Sequence, residues 1–286
     1  MGKLRDQMIE DLQLRDYARG TCKAYVDCAR AFVAYHRRPP QQMGELEIRQ
    51  FLMHLFEKKK ASPATRKMHV AGIKFLYQVT LRRPEVVAVI PWPKVAHGVP
   101  EILSGTEVAK LLDAVEAIKH RAVIMAAYGA GLRVSEVCSL QIDDIDSQRM
   151  TIRVRYGKGG QARYVPLPER VLFLLRRYWV TERPKGPWLF PGKQRGCPVS
   201  DSSVRYHLRA AAKKTGLTKR VTPHVLRHTF ATHLLELGTD VRVIQMLLGH
   251  RSIRTTVRYT RVTRTLVANT KSPVDVLGTT KQKKIG

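Results

Sequence analysis

The chain has 286 residues, 44% of them apolar, and 51 lysines and arginines against 23 acidic residues, for a formal charge of +28. That length allows one large or two ordinary folded domains. The composition argues against disorder outside the ends of the chain, and no run of about 18 apolar residues reads as a membrane span. The N-terminus carries no apolar signal segment, and Asp6 stands where an N-myristoylation signal would need Ser or Thr.

Both parts of the chain share the charge. Residues 1–100 hold 18 basic and 9 acidic side chains, and the remainder holds 33 and 14. A basic tail would give a lopsided count. An even surplus points to a polyanion gripped along the whole molecule, and nucleic acid is the ordinary choice. The four cysteines form no C-x-x-C pair, which argues against a zinc ribbon or redox pair and suits a reducing compartment. Cys138 sits in an apolar helical run and reads as a small core residue.

Residues 1–90 read as helices over about 3–17, 20–36, 45–57 and from Ser62-Pro63 onward, the last opened by an N-cap serine and a first-turn proline. This fourth helix sets Val70, Ile73, Leu76 and Tyr77 on one face and Arg66, Lys67 and Lys74 elsewhere. The three cations are candidate DNA contacts, and an ordinary amphipathic helix explains them as well. Residues 91–103 hold three prolines and mark a linker between domains at 1–90 and 104–286. Ser104 and Glu107 then make a capping box before two helical segments, VAKLLDAVEAI and HRAVIMAAYGAG. Residues 150–167 change to a strand pattern around a glycine-rich turn at 157–161, predicting a β-hairpin. Helices are expected again over 168–180, 200–215, 223–237, 240–248 and 252–260.

Five stretches carry chemistry. Gly131 ends one helix, and Arg133 opens the next with Glu136 three residues on, either a phosphate-binding arginine with its support or an ordinary surface ion pair. Lys158 lies in the hairpin turn, where a lysine can reach a groove and donate a proton or simply be solvated. Thr222-Pro223 opens a helix that puts His224 and Arg227 on one side of its N-terminus, a setting that attracts phosphate. His224, His228 and His233 could instead suggest a metal, but H-E-x-x-H is absent. Gly249 gives a helix stop before His250, and Tyr259 follows in RTTVRYT. A phenol titrates near pH 10 and needs cations and a proton acceptor to act as a nucleophile.

In order, Arg133, Lys158, His224-x-x-Arg227, Gly249-His250 and Tyr259 resemble the tyrosine recombinase family, the phage or lambda integrase type, over about residues 104–262. The most specific block is TPHVLRHTFATHLLELGTDVRVIQMLLGHRSIRTTVRYT. The resemblance implies a two-domain C-shaped clamp. It would combine an N-terminal helical, SAM-like DNA-binding domain with a mainly α catalytic domain containing a small antiparallel sheet. It implies Tyr259 as nucleophile, Arg133 and Arg227 on the non-bridging phosphate oxygens, and His224 in proton transfer. Lys158 would be the acid for the leaving oxygen, His250 a hydrogen-bond donor, and Glu136 a support. No metal, nucleotide or other cofactor is expected. The implied partners are double-stranded recombination sites, a homotetramer at synapsis with the segment after Tyr259 docking on a neighbour, and an accessory or partner recombinase. The expected setting is cytoplasmic, at the nucleoid, and the charge and the RYT form lean toward a mobile element. The rivals are a type IB topoisomerase and a non-enzymatic DNA-binding protein of the same fold.

Overall fold

A computed structural model of the chain describes residues 2–95, 101–155 and 162–249. It divides into two compact units at Gly98 and Val99. Among the described residues no helix is long and apolar enough to cross a membrane.

The first unit is built from α1 (Gly2–Gln13), α2 (Arg19–His36), α3 (Glu45–Glu57), α4 (Pro63–Phe75) and the short α5 (Glu85–Ala88), with a π-helical turn, Leu76–Thr80, continuing α4. Ser62 caps α4 by accepting from the Thr65 amide at 3.1 Å, with Pro63 in the first turn, where a missing N–H costs nothing. The apolar face foreseen for this helix is the buried one. Val70, Ile73, Leu76 and Tyr77 join Phe32, Ile48 and Phe51 in one core. α2 and α4 meet at Gly72, where a Cβ would stand 2.9 Å from Cys28 Cβ, so the close helix approach needs glycine. The Tyr77 hydroxyl donates to Pro40 O at 2.9 Å and ties the end of the α4 segment to the loop before α3.

The second unit holds α6 (Gly105–Asp113), α7 (Ile118–Gly129), α8 (Val134–Cys138), α9 (Glu169–Glu182), α10 (Asp201–Lys214), α11 (Pro223–Glu236) and α12 (Val241–Leu248). Its sheet is antiparallel, β1 (Ile145–Asp146), β2 (Thr151–Val154) and β3 (Arg163–Pro166) in that order. Ser104 and Glu107 form the foreseen capping box, at 3.2 and 2.7 Å. α6 stops at Asp113, earlier than the VAKLLDAVEAI run suggests. The Arg121 side chain takes the Val115 and Asp113 carbonyls, so the chain turns there before α7 starts. α7 is apolar nearly all round, with Ala122, Val123, Ala126 and Ala127 buried, and it lies at the centre of this core. A smaller cluster, Phe230, Ala231, Leu235, Ile244 and Leu248, joins α11 to α12.

The hairpin register pairs Ile152 with Val165 and Val154 with Arg163. At its base the buried Asp144 accepts from Arg153 Nε at 3.0 Å, Arg155 Nε at 2.6 Å and the Gln141 amide at 2.9 Å. The end of β2 is thereby fixed by a carboxylate with both oxygens hydrogen-bonded, as burial requires. The turn itself and the predicted helix at 252–260 lie outside the described residues.

Candidate active site

The site begins where α7 ends. Gly131 has φ +62°, and a Cβ there would collide with the Phe230 ring and approach Leu248 Cδ2 at 3.1 Å. Only glycine meets both demands. The tight turn delivers Arg133 to the N-terminus of α8, where its backbone amide donates to Glu136 Oε2 at 2.8 Å and its Nη1 to Glu136 Oε1 at 2.6 Å. A surface ion pair does not describe this contact, because Glu136 is 4% exposed.

Arg227 reaches the same carboxylate from α11. Thr222 caps that helix by accepting from the Val225 amide at 3.2 Å, and Pro223 occupies its first turn. Arg227 is buried, with Nη1 donating to Gly131 O at 2.8 Å and standing 3.6 Å from Glu136 Oε2, while Nη2 donates to Leu248 O. His224, one turn earlier, is held below the ordinary imidazole range. Loss of solvation is the main cause, followed by the charges of Arg205, Arg227 and Arg133. It is therefore neutral near pH 7 and can take a proton.

A third arginine, outside the motif residues, completes the arrangement. Arg163 on β3 binds Glu136 with both arms, Nη1 to Oε1 at 3.0 Å and Nη2 to Oε2 at 2.8 Å, and its Nε donates to Leu247 O at 2.7 Å. A signal for it existed. Arg163 alternates with Val165 and so falls on the buried face of its strand, where an arginine needs a partner. Burial alone would raise the Glu136 pKa. The hydrogen bonds and charge of Arg163 and Arg133 outweigh it and hold the carboxyl at about 2. One carboxylate facing three guanidinium groups leaves an excess of positive charge, which suits a phosphate diester.

The three guanidinium groups also cap α12. Arg163, Arg227 and Arg133 donate to Leu247 O, Leu248 O and Gly249 O respectively, the last at 3.4 Å. Gly249 closes the helix in the left-handed conformation, at φ +60°. These are the carbonyls a helix leaves without partners at its C-terminus, where cations are favoured. Lys158, His250 and Tyr259 lie outside the described residues.

His233 Nδ1 meets the Tyr128 hydroxyl at 2.8 Å and its Nε2 meets Leu103 O at 3.0 Å. With both ring nitrogens engaged, it does not combine with His224 and His228 into a metal site. In the first unit Lys67 is exposed, whereas Lys74 donates to Val87 O at 2.8 Å and lies over the Trp92 ring. Arg66 is half-buried over the Phe56 ring, with its Nε buried and unpartnered.

Residues 101–265 match the Phage integrase family, and residues 4–85 match the Phage integrase, N-terminal SAM-like domain. The chain is 43% identical over 278 residues to "Putative integrase/recombinase y4qK" of Sinorhizobium fredii, covering 97% of this chain and 90% of that protein. It is 36% identical over 240 residues to tyrosine recombinase XerA of Thermococcus onnurineus, covering 82% and 84%. The fold is similar to that of a lambda integrase(75-356) dimer bound to a COC' core site, with a TM-score of 0.72 at 22% identity over 91% of this chain and 94% of that one. The chain therefore belongs to the phage integrase family, and is a site-specific tyrosine recombinase that cleaves and rejoins DNA by transesterification.

Proposed function

We propose that Tyr259 is the nucleophile of this chain and that the Glu136 cluster holds the phosphate it attacks. The phenolic oxygen forms a bond to the scissile phosphorus, and the bond from phosphorus to the 5′-oxygen breaks. The products are a 3′-phosphotyrosyl link and a free 5′-hydroxyl. His224 accepts the phenolic proton, and Lys158 supplies a proton to the leaving oxygen. Arg133 and Arg227 bind the non-bridging oxygens as charge builds on them, and His250 adds a hydrogen bond. The phosphodiester energy stays in the tyrosyl link, so religation needs neither metal nor nucleotide.

The observation that carries this proposal is the convergence of Arg133 and Arg227, 94 residues apart in the sequence, on one buried carboxylate. Such a cluster preorganises two cations for an anion, with the neutral His224 beside them. In the first unit Lys67 is the candidate DNA contact best presented to solvent, while Arg66 and Lys74 make contacts within their own unit. The lambda integrase structure holds a dimer on its core site. For this chain we extend that to a homotetramer joining two duplexes at the nucleoid, with residues 261–286 docking on a neighbour and a mobile element as its setting.

The test is a nicked suicide substrate carrying a recombination site. The wild-type chain should become covalently linked to the 3′ strand, and Tyr259→Phe should give no link while binding the site normally. A covalent product from the phenylalanine variant would remove Tyr259 from its role.

A further inference from the structure

We infer that Arg163 is a positioning residue for strand cleavage, setting the geometry of the phosphate clamp and of the α12 terminus together. This rests on the proposed roles of Arg133 and Arg227. Neither the catalytic motif nor the phosphate contacts proposed above include Arg163, and its side chain is only 10% exposed.

Its contacts join three parts of the site. The two-armed bond to Glu136 occupies both carboxylate oxygens from the β3 side, so the carboxylate cannot rotate away from Arg133 and Arg227. The Nε bond to Leu247 O fixes the last turn of α12. Gly249 packs directly on the guanidinium, and a Cβ at that position would lie 3.2 Å from Arg163 Nη1. The segment that runs on to His250 and Tyr259 thus leaves α12 from a point that Arg163 fixes. Because Arg163 stands on β3, which pairs with β2, it also links the sheet to the same point.

A lysine cannot substitute. It has one nitrogen and cannot bridge two carboxylate oxygens while also holding Leu247 O. A misplacement of about 1 Å at a reacting centre costs roughly 100-fold in rate, which sets the size of effect expected on removal.

The experiment compares single-turnover cleavage of the nicked substrate by wild type, Arg163→Lys, Arg163→Met, Glu136→Gln, Arg163→Met with Glu136→Gln, and Arg227→Ala, alongside site affinity and melting temperature. Arg163→Met should cleave about 100-fold and Arg163→Lys about 10-fold more slowly, each with affinity within about threefold of wild type. Arg163→Lys keeps a charge beside Glu136, so it should melt above Arg163→Met and still be slow at temperatures where it is fully folded, which a purely structural role would not give. The double variant should be no slower than the slower single, since both changes disable one device.

The proposal is overturned if Arg163→Lys cleaves within about threefold of wild type, if the loss lies in affinity, or if the double variant multiplies the single effects. Arg227→Ala separates the two levels. Wild-type cleavage by that variant would refute the clamp itself, whereas a slow Arg227→Ala beside a fast Arg163→Lys would refute only the role of Arg163.

Discussion

Glu136 is the residue on which the site's electrostatics turn. It is buried with its charge because three guanidinium groups and the Arg133 amide compensate it. Replacing it with glutamine leaves three arginines facing one another around a neutral group. Breaking a buried ion cluster in this way should cost about 3 to 5 kcal/mol, measurable by urea denaturation. The same residue sets an acid limit. Its folded pKa of about 2 lies below the ordinary 4.5, so its contribution is complete above the ordinary value and is lost as the pH falls from there toward 2. That contribution is about 3 kcal/mol. The pH dependence of unfolding in that window should flatten in Glu136→Gln, and an unchanged profile would show that another carboxyl governs acid stability.

At the scale of elements, the turn between α7 and α8 decides whether the clamp exists. Gly131 supplies a carbonyl to Arg227, a left-handed backbone and the space taken by the Phe230 ring. Gly131→Ala should therefore destabilise the protein by roughly 2 to 4 kcal/mol, from the left-handed strain together with overpacking of the α11–α12 core. Thermal unfolding of the variant checks this, and a change under 1 kcal/mol would mean the turn can relax. The helix starts were legible because their signals are local. Ser62-Pro63, Ser104 with Glu107, and Thr222-Pro223 each cap the helix they announce. Element ends were less legible. α6 stops early through side-chain bonds from Arg121, a residue in the next helix. Arg163 was missed for a related reason. Its inward position follows from strand alternation, but the partner that makes it more than a buried cation lies 27 residues away, on another element.

Across the whole molecule, both halves of the chain carry a positive surplus, and that distribution predicts how DNA is held. Affinity for a recombination site should fall with rising salt, with a log–log slope of about −0.9 for each phosphate neutralised. A fluorescence-anisotropy titration at several salt concentrations measures it, and a flat response would mean that the surplus charge does not face DNA.

By itself the sequence determined the class of partner, the helical capping pattern and the order of Arg133, Lys158, His224, Arg227, His250 and Tyr259 along the chain. Charge and caps are properties of single residues and near neighbours, so they can be read without a fold. Tertiary structure decided that Glu136 is the buried centre of the site rather than one half of a surface pair. It also decided that Arg163 belongs to that centre, and that the three arginines share the C-terminal carbonyls of α12. Such roles depend on which distant groups exclude water from a carboxylate and replace its hydrogen bonds, and only the packing of α8, β3, α11 and α12 against one another fixes that.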